Sequence, residues 1–131
     1  TLSLPPGDAA KNAKRVLVVT VTKGYRHDSI PVAEAPLQTL SEQSKGRFTV
    51  DYARTDDELR AKMSPDGLKQ YDAVVFANTT GDLPLPDRAA FLAWIRAGHG
   101  FVGCHAASDT FHGDAGYVGM LGGEFLTHGP Q

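Results

Sequence analysis

The feature that most constrains this chain is an apolar strand that breaks off into small residues. It runs Phe101-Val102-Gly103-Cys104-His105-Ala106-Ala107-Ser108-Asp109 and is entered through Gly98-His99-Gly100. Phe101 to Cys104 reads as a short strand, and the small residues after it demand a sharp turn. Such a stop resembles a nucleophile elbow, whose apex sits on a strained turn with small residues two places to either side. An apex at Cys104 puts Val102 and Ala106 at the flanks; an apex at His105 puts Gly103 and Ala107 there. The second register has small flanks on both sides. It predicts His105 at the apex and Cys104 as the last strand residue, buried as an inert thiol in the apolar layer. Ser108 or Asp109 is available to cap a helix or turn just beyond the elbow.

The rest of the chain alternates around this strand. Arg15 to Thr22 holds a nearly continuous β-branched run, the mark of a central parallel strand buried on both faces. Lys23 to Pro31 is a polar loop, with Asp28 or Ser29 as N-cap of a helix whose body is Val32 to Gln43; Pro36 raises the alternative of a later start. Lys45-Gly46 ends it. Phe48, Val50 and Tyr52 alternate with polar residues as a half-exposed strand. Asp56 to Met63 is a short helix, and Ser64-Pro65-Asp66-Gly67 a turn. Asp72 to Ala77 is a third buried strand. Asp87 opens an amphipathic helix with Ala90, Phe91, Trp94 and Ile95 on one face, closed by Gly98. Gly116 to Leu121 reads as one more short helix. Four strands separated by helices predict a parallel sheet with right-handed crossovers and a helical layer on each face.

Bulk properties exclude several classes. The 131 residues fit one domain, with 1–14 as an N-terminal arm or linker and 15–131 as the folded unit. A formal net charge of −2 without a basic stripe argues against nucleic acid as a partner. No apolar run is long enough to span a bilayer, so no membrane partner is expected. One cysteine excludes an internal disulfide framework. The compartment stays open: cytoplasmic, or exported if a signal peptide preceded Thr1.

In open parallel sheets, ligands sit beyond the carboxyl ends of the strands. The first strand leads to Tyr25, Arg26, His27 and Asp28, the third to Asn78, Thr79 and Thr80, and the focal strand to His105, Ser108, Asp109 and His112. Their convergence on one rim is a consequence of topology. His99 belongs at the opposite pole, and the place of His128 depends on where the end of the chain folds back. Asp28 serves equally as a helix cap or a carboxylate. Histidines near carboxylates also leave a divalent metal open, although no HxH or HExxH spacing supports one.

The residues Gly24-Tyr25-Arg26-His27-Asp28-Ser29, Tyr71 to Phe76, Phe91-Leu92-Ala93-Trp94-Ile95 and above all Phe101 to Asp109 resemble the ThuA-like, or trehalose-utilisation, family. Tyr117, Leu121-Gly122-Gly123, Phe125 and His128 continue the likeness. The resemblance implies a flavodoxin-like three-layer sandwich of the class I glutamine amidotransferase-like superfamily and a role in disaccharide breakdown. Amidotransferases carry a nucleophilic cysteine at the elbow; here the elbow residue is His105, so their chemistry does not transfer. The family extends past the position of Gln131. That implies missing C-terminal strands, and self-association or a partner chain that completes the sheet.

The first functional expectation is a sugar-processing enzyme acting on a small carbohydrate. His27 and His105 do acid/base work, oriented by Asp28 or Asp109, with Tyr25, Arg26, Asn78, Thr79, Ser108 and His112 binding the ligand. The alternative is a non-catalytic carbohydrate-binding or regulatory module. An amidotransferase-like or peptidase-like enzyme would need Cys104 exposed beside a histidine.

Overall fold

The computed structural model describes residues 13–129. Most of the expected arm lies outside these residues, and Lys14 already belongs to the first strand. The elements in order are β1 (Lys14–Val19), α1 (Ile30–Gln43), β2 (Phe48–Ala53), α2 (Asp56–Lys62), α3 (Pro65–Leu68), β3 (Ala73–Ala77), α4 (Arg88–Arg96), β4 (Gly100–Cys104), a 3₁₀ turn (His105–Asp109) and α5 (Ala115–Leu121). The sheet is parallel throughout, with strand order β2-β1-β3-β4. This is the flavodoxin-like arrangement. The chain leaves β1 in one direction toward β2 and later returns on its other side as β3, so a switch point lies between β1 and β3.

Two apolar layers result from the alternation of side chains along the strands. Leu17, Val19, Val74 and Phe76 point to the layer made by α2 to α5, where Leu59, Phe91, Phe111 and Tyr117 are buried. Phe76 is fully buried at its centre, with ring centroids of Phe101 at 5.3 Å and Phe91 at 5.7 Å. Val16, Val18, Val50, Tyr52, Val75 and Ala77 point the other way, against Ala33 and Leu37 of α1.

Local chemistry sets the helix ends. Thr55 accepts from the Glu58 amide and Glu58 reaches back to the Thr55 amide, a capping box that starts α2. Asp87 caps α4, as its position suggests. The helix α1 starts at Ile30 with Ser29 at its N-cap position, as expected, and not later; it carries Pro36 inside it, losing one internal bond near the exposed Val32. Two details depart from expectation. Ser64 to Gly67 is not a bare turn: Ser64 accepts from the Gly67 amide and caps the single helical turn α3. Ser108 and Asp109 lie within the 3₁₀ turn, and Asp114 caps α5 by accepting from the Tyr117 amide.

Cys104 corrects the sequence reading more sharply: its side chain is exposed, not buried. The register holds, but the face it points to is uncovered. Phe101 packs into the Phe76 layer, so Val102 and Cys104 alternate to the opposite face. There α1 covers β1, β2 and β3 but not β4, an edge strand among the described residues. Val102 is accordingly 51% exposed.

Candidate active site

The elbow is built as its small residues require. His105 takes the left-handed conformation with φ 49°, a strained backbone for a residue with a side chain. A Cβ on Gly103 would lie 2.9 Å from Leu121 Cδ1 and 3.2 Å from Ala107 Cβ, so the flanks must stay small. The buried Tyr117 hydroxyl donates to the Ala107 carbonyl at 2.8 Å and braces the turn from below. That hydroxyl's proton is held well above the usual tyrosine range by burial.

The loop after β1 is fastened to the loop after β3. The Lys23 amide donates to the Thr80 carbonyl at 2.8 Å. Thr80 Oγ1 accepts from the Gly24 amide and donates to the Tyr25 carbonyl, each at 3.1 Å. Asn78 has φ 57°, and its Nδ2 donates to Ser29 Oγ at 2.8 Å. Ser29 is therefore at the N-cap position of α1 without a capping bond from its side chain. Its hydroxyl joins the two loops instead.

These ties bring His27 over the elbow. The His27 and His105 ring centroids are 4.5 Å apart, edge to face, and Tyr25 stands edge-on to His27 at 4.9 Å. The three rings form one wall of a cleft of about 730 Å³ that also touches Ser29, Ala106, Ser108, Asp109, Phe125 and His128. That volume admits a small organic ligand up to the size of a disaccharide. Tyr25 is 68% exposed and Phe125 39%, so both aromatic side chains are accessible to a ligand in the cleft.

The expected site residues divide into two groups. Tyr25, His27, His105, Ser108 and Asp109 line the cleft. Asp28 is exposed outside it, and Arg26 Nη1 donates to the Thr20 carbonyl at 3.3 Å. Asn78 is nearly buried, and Thr79 is fully buried with its hydroxyl 2.9 Å from that of Thr110; both build the rim from behind. His112 lies beside the cleft, with Nε2 2.6 Å from Asp109 Oδ1. This hydrogen bond raises its pKa above the ordinary imidazole value, against partial desolvation. Phe125 and His128 come from the far end of the chain; periodicity in that glycine-rich stretch gives no sign that it returns to the rim. His99 lies at the other pole, as expected, with Nδ1 2.7 Å from the Trp94 carbonyl and its ring stacked on Trp94 at 4.1 Å. Among the described residues no three His, Cys, Asp or Glu side chains converge as metal ligands, and no helix is long and apolar enough to cross a membrane.

A parallel flavodoxin-like sheet with a histidine on its elbow and a second imidazole beside it defines a class: an α/β domain with a candidate site at the carboxyl rim. Within that class, the family model for ThuA, trehalose utilisation, matches residues 15–131, and the chain belongs to that family. Membership carries a role in trehalose utilisation. Neither the curated proteins nor the solved structures contain a match.

Proposed function

We propose that the domain performs acid/base chemistry on a disaccharide or its keto derivative, with His27 and His105 as the proton-transferring pair. The observation that carries this reading is the 4.5 Å approach of the two imidazoles at the strained elbow, inside an aromatic-walled cleft. A neutral imidazole accepts a proton at a ring nitrogen and an imidazolium donates one, so two neighbouring rings can act as base and acid on one substrate. Next to a keto group, the neutral ring takes the proton from the carbon beside the carbonyl. The electron pair moves to the carbonyl oxygen, which takes a proton from the other ring in its cationic form. Tyr25 and Phe125 supply apolar faces for the C–H side of a sugar ring, and Ser108 and Asp109 supply polar partners for hydroxyls.

A binding module would present mainly aromatic and amide groups. Among the described residues no Asn or Gln side chain lines the cleft, and Asn78 at the end of β3 is engaged by Ser29, while imidazole rings line the space. That favours the enzymatic reading. Cys104 is exposed but lies outside the cleft lining, so a thiol nucleophile for a ligand held there has no support.

The test is incubation of the purified chain with trehalose and with its keto-oxidised form, followed by proton NMR. Turnover is expected on at least one of them, and His27→Asn or His105→Asn should slow it by roughly 10²–10⁴-fold. Saturable binding without turnover would replace this proposal with the binding module. Turnover that survives both substitutions within a few-fold would overturn the assigned residues.

A further inference from the structure

Beside the cleft, one side chain touches both the elbow turn and the segment that brings Phe125 and His128 to the cleft lining. His112 Nε2 lies 2.6 Å from Asp109 Oδ1, and its Nδ1 lies 3.4 Å from Glu124 Oε2. Asp109 belongs to the turn that begins at His105. Glu124 precedes Phe125 and His128, which line the cleft. Two further bonds run along the same seam. The Gly113 amide donates to Glu124 Oε2 at 2.9 Å, and the Phe125 amide donates to the Ser108 carbonyl at 2.8 Å. A neutral imidazole has one N–H and turns a lone pair toward whichever carboxylate it does not serve; the imidazolium donates to both.

We infer that His112 is a positioning residue: as an imidazolium it clips residues 123–129 to the turn that carries His105 and Asp109, and loss of its proton releases that wall of the cleft. The inference uses the proposed site only for what the wall encloses. It needs no bound sugar and makes no demand on the chemistry of His27.

The charged surroundings of His112 favour the cation. Asp109 from the 3₁₀ turn and Glu124 from the segment after α5 face its ring, and both raise its pKa. Asp114 at the start of α5 is engaged by Arg88 of α4, which also reaches Asp82. The clipped segment's own histidine, His128, has Nδ1 2.7 Å from the Gly129 carbonyl. A raised pKa means that the clip is fully formed below the ordinary imidazole value and is lost as pH rises through the raised one. The wall therefore opens on the alkaline side.

The test is amide hydrogen exchange by NMR on the whole chain, without ligand, between about pH 6 and pH 9, corrected for the intrinsic pH dependence of exchange. The ring protons of His112 report its titration in the same samples. Protection of the Phe125 and Gly113 amides should fall by about tenfold or more in step with that titration, while the Thr20 amide, bonded to Ala53 at 3.1 Å in the sheet, stays protected. His112→Gln should show the low protection at every pH. Protection of Phe125 that ignores the titration of His112 overturns the inference, and the wild-type series decides this even if the variant does not fold. Because no sugar is present, failure here leaves the acid/base proposal standing, and failure of that proposal leaves the clip intact.

Discussion

His99 and His105 bracket the same strand, and they live in opposite circumstances. His99, before β4, is pressed flat on Trp94 and bonded to its carbonyl, in a half-buried position where an imidazole acts as a flat ring with one polar tip. His105, after β4, stands on a left-handed backbone with its ring exposed to the cleft and to His27. One short strand separates a histidine that serves stability from one held at a conformational cost. The difference teaches how a parallel sheet divides labour. All strands run the same way, so every carboxyl end and every loop beyond it gathers at one rim, and the other rim is left to packing.

The largest effect that would sharpen this contrast is on activity. With keto-trehalose or trehalose as substrate, His105→Asn should lose roughly 10²–10⁴ in rate, whereas His99→Asn should stay within about threefold. Equal losses at the two positions would erase the distinction. Next is stability, where the two ends should differ in sign. His105→Gly relieves a positive φ and is expected to raise unfolding free energy by about 1 kcal/mol while abolishing turnover. His99→Gly loses the stack on Trp94 and should lower it by about 1–2 kcal/mol, both read by urea denaturation. A smaller effect concerns the thiol at the end of β4. Cys104 should react with a thiol reagent in the folded state, and Cys104→Ala should change turnover by no more than about threefold. Loss of turnover on labelling with a small reagent would draw Cys104 into the site.

The smallest expected effect is electrostatic, and again the rims oppose one another. At the His99 end, Lys14 Nζ and the Arg15 amide donate to Asp72, and they lower its pKa. A lowered carboxylate contributes stability above its unfolded pKa and loses it as pH falls through the folded value. His112 at the other rim has a raised pKa, and its contribution is lost as pH rises. Asp72→Asn should therefore flatten the acid limb of a stability-versus-pH curve, and His112→Gln the alkaline limb. Both shifts are modest because the groups are partly exposed.

Much of this arrangement was legible in the residues. The β-branched run at Val16 to Val19 and the buried run at Val74 to Ala77 announced central strands, and Gly103 and Ala107 announced the elbow with His105 at its apex. The rim was a consequence of topology, and His27 and His105 meet there. Less visible was which rim residues face the cleft. Asn78 and Thr79 share the strand end with the site, yet both turn inward, Asn78 to Ser29 and Thr79 to Thr110. Phe125 and His128 arrive from a glycine-rich stretch whose course no periodicity reveals.

The sequence alone determined the alternation of strands and helices, the parallel sheet and the turn at His105, because each depends on local backbone preference or on the spacing of apolar residues; the family was legible separately, in the likeness of its motifs. Only the tertiary structure decided that Cys104 is exposed, that Asn78 ties two loops together through Ser29, and that His112 sits between Asp109 and Glu124. The physical reason is common to all three. A strand's alternation says which residues share a face, but only the neighbouring helices say whether that face is covered. Likewise a polar side chain's chemistry says what it can bind, but only its partners in space say what it has already bound.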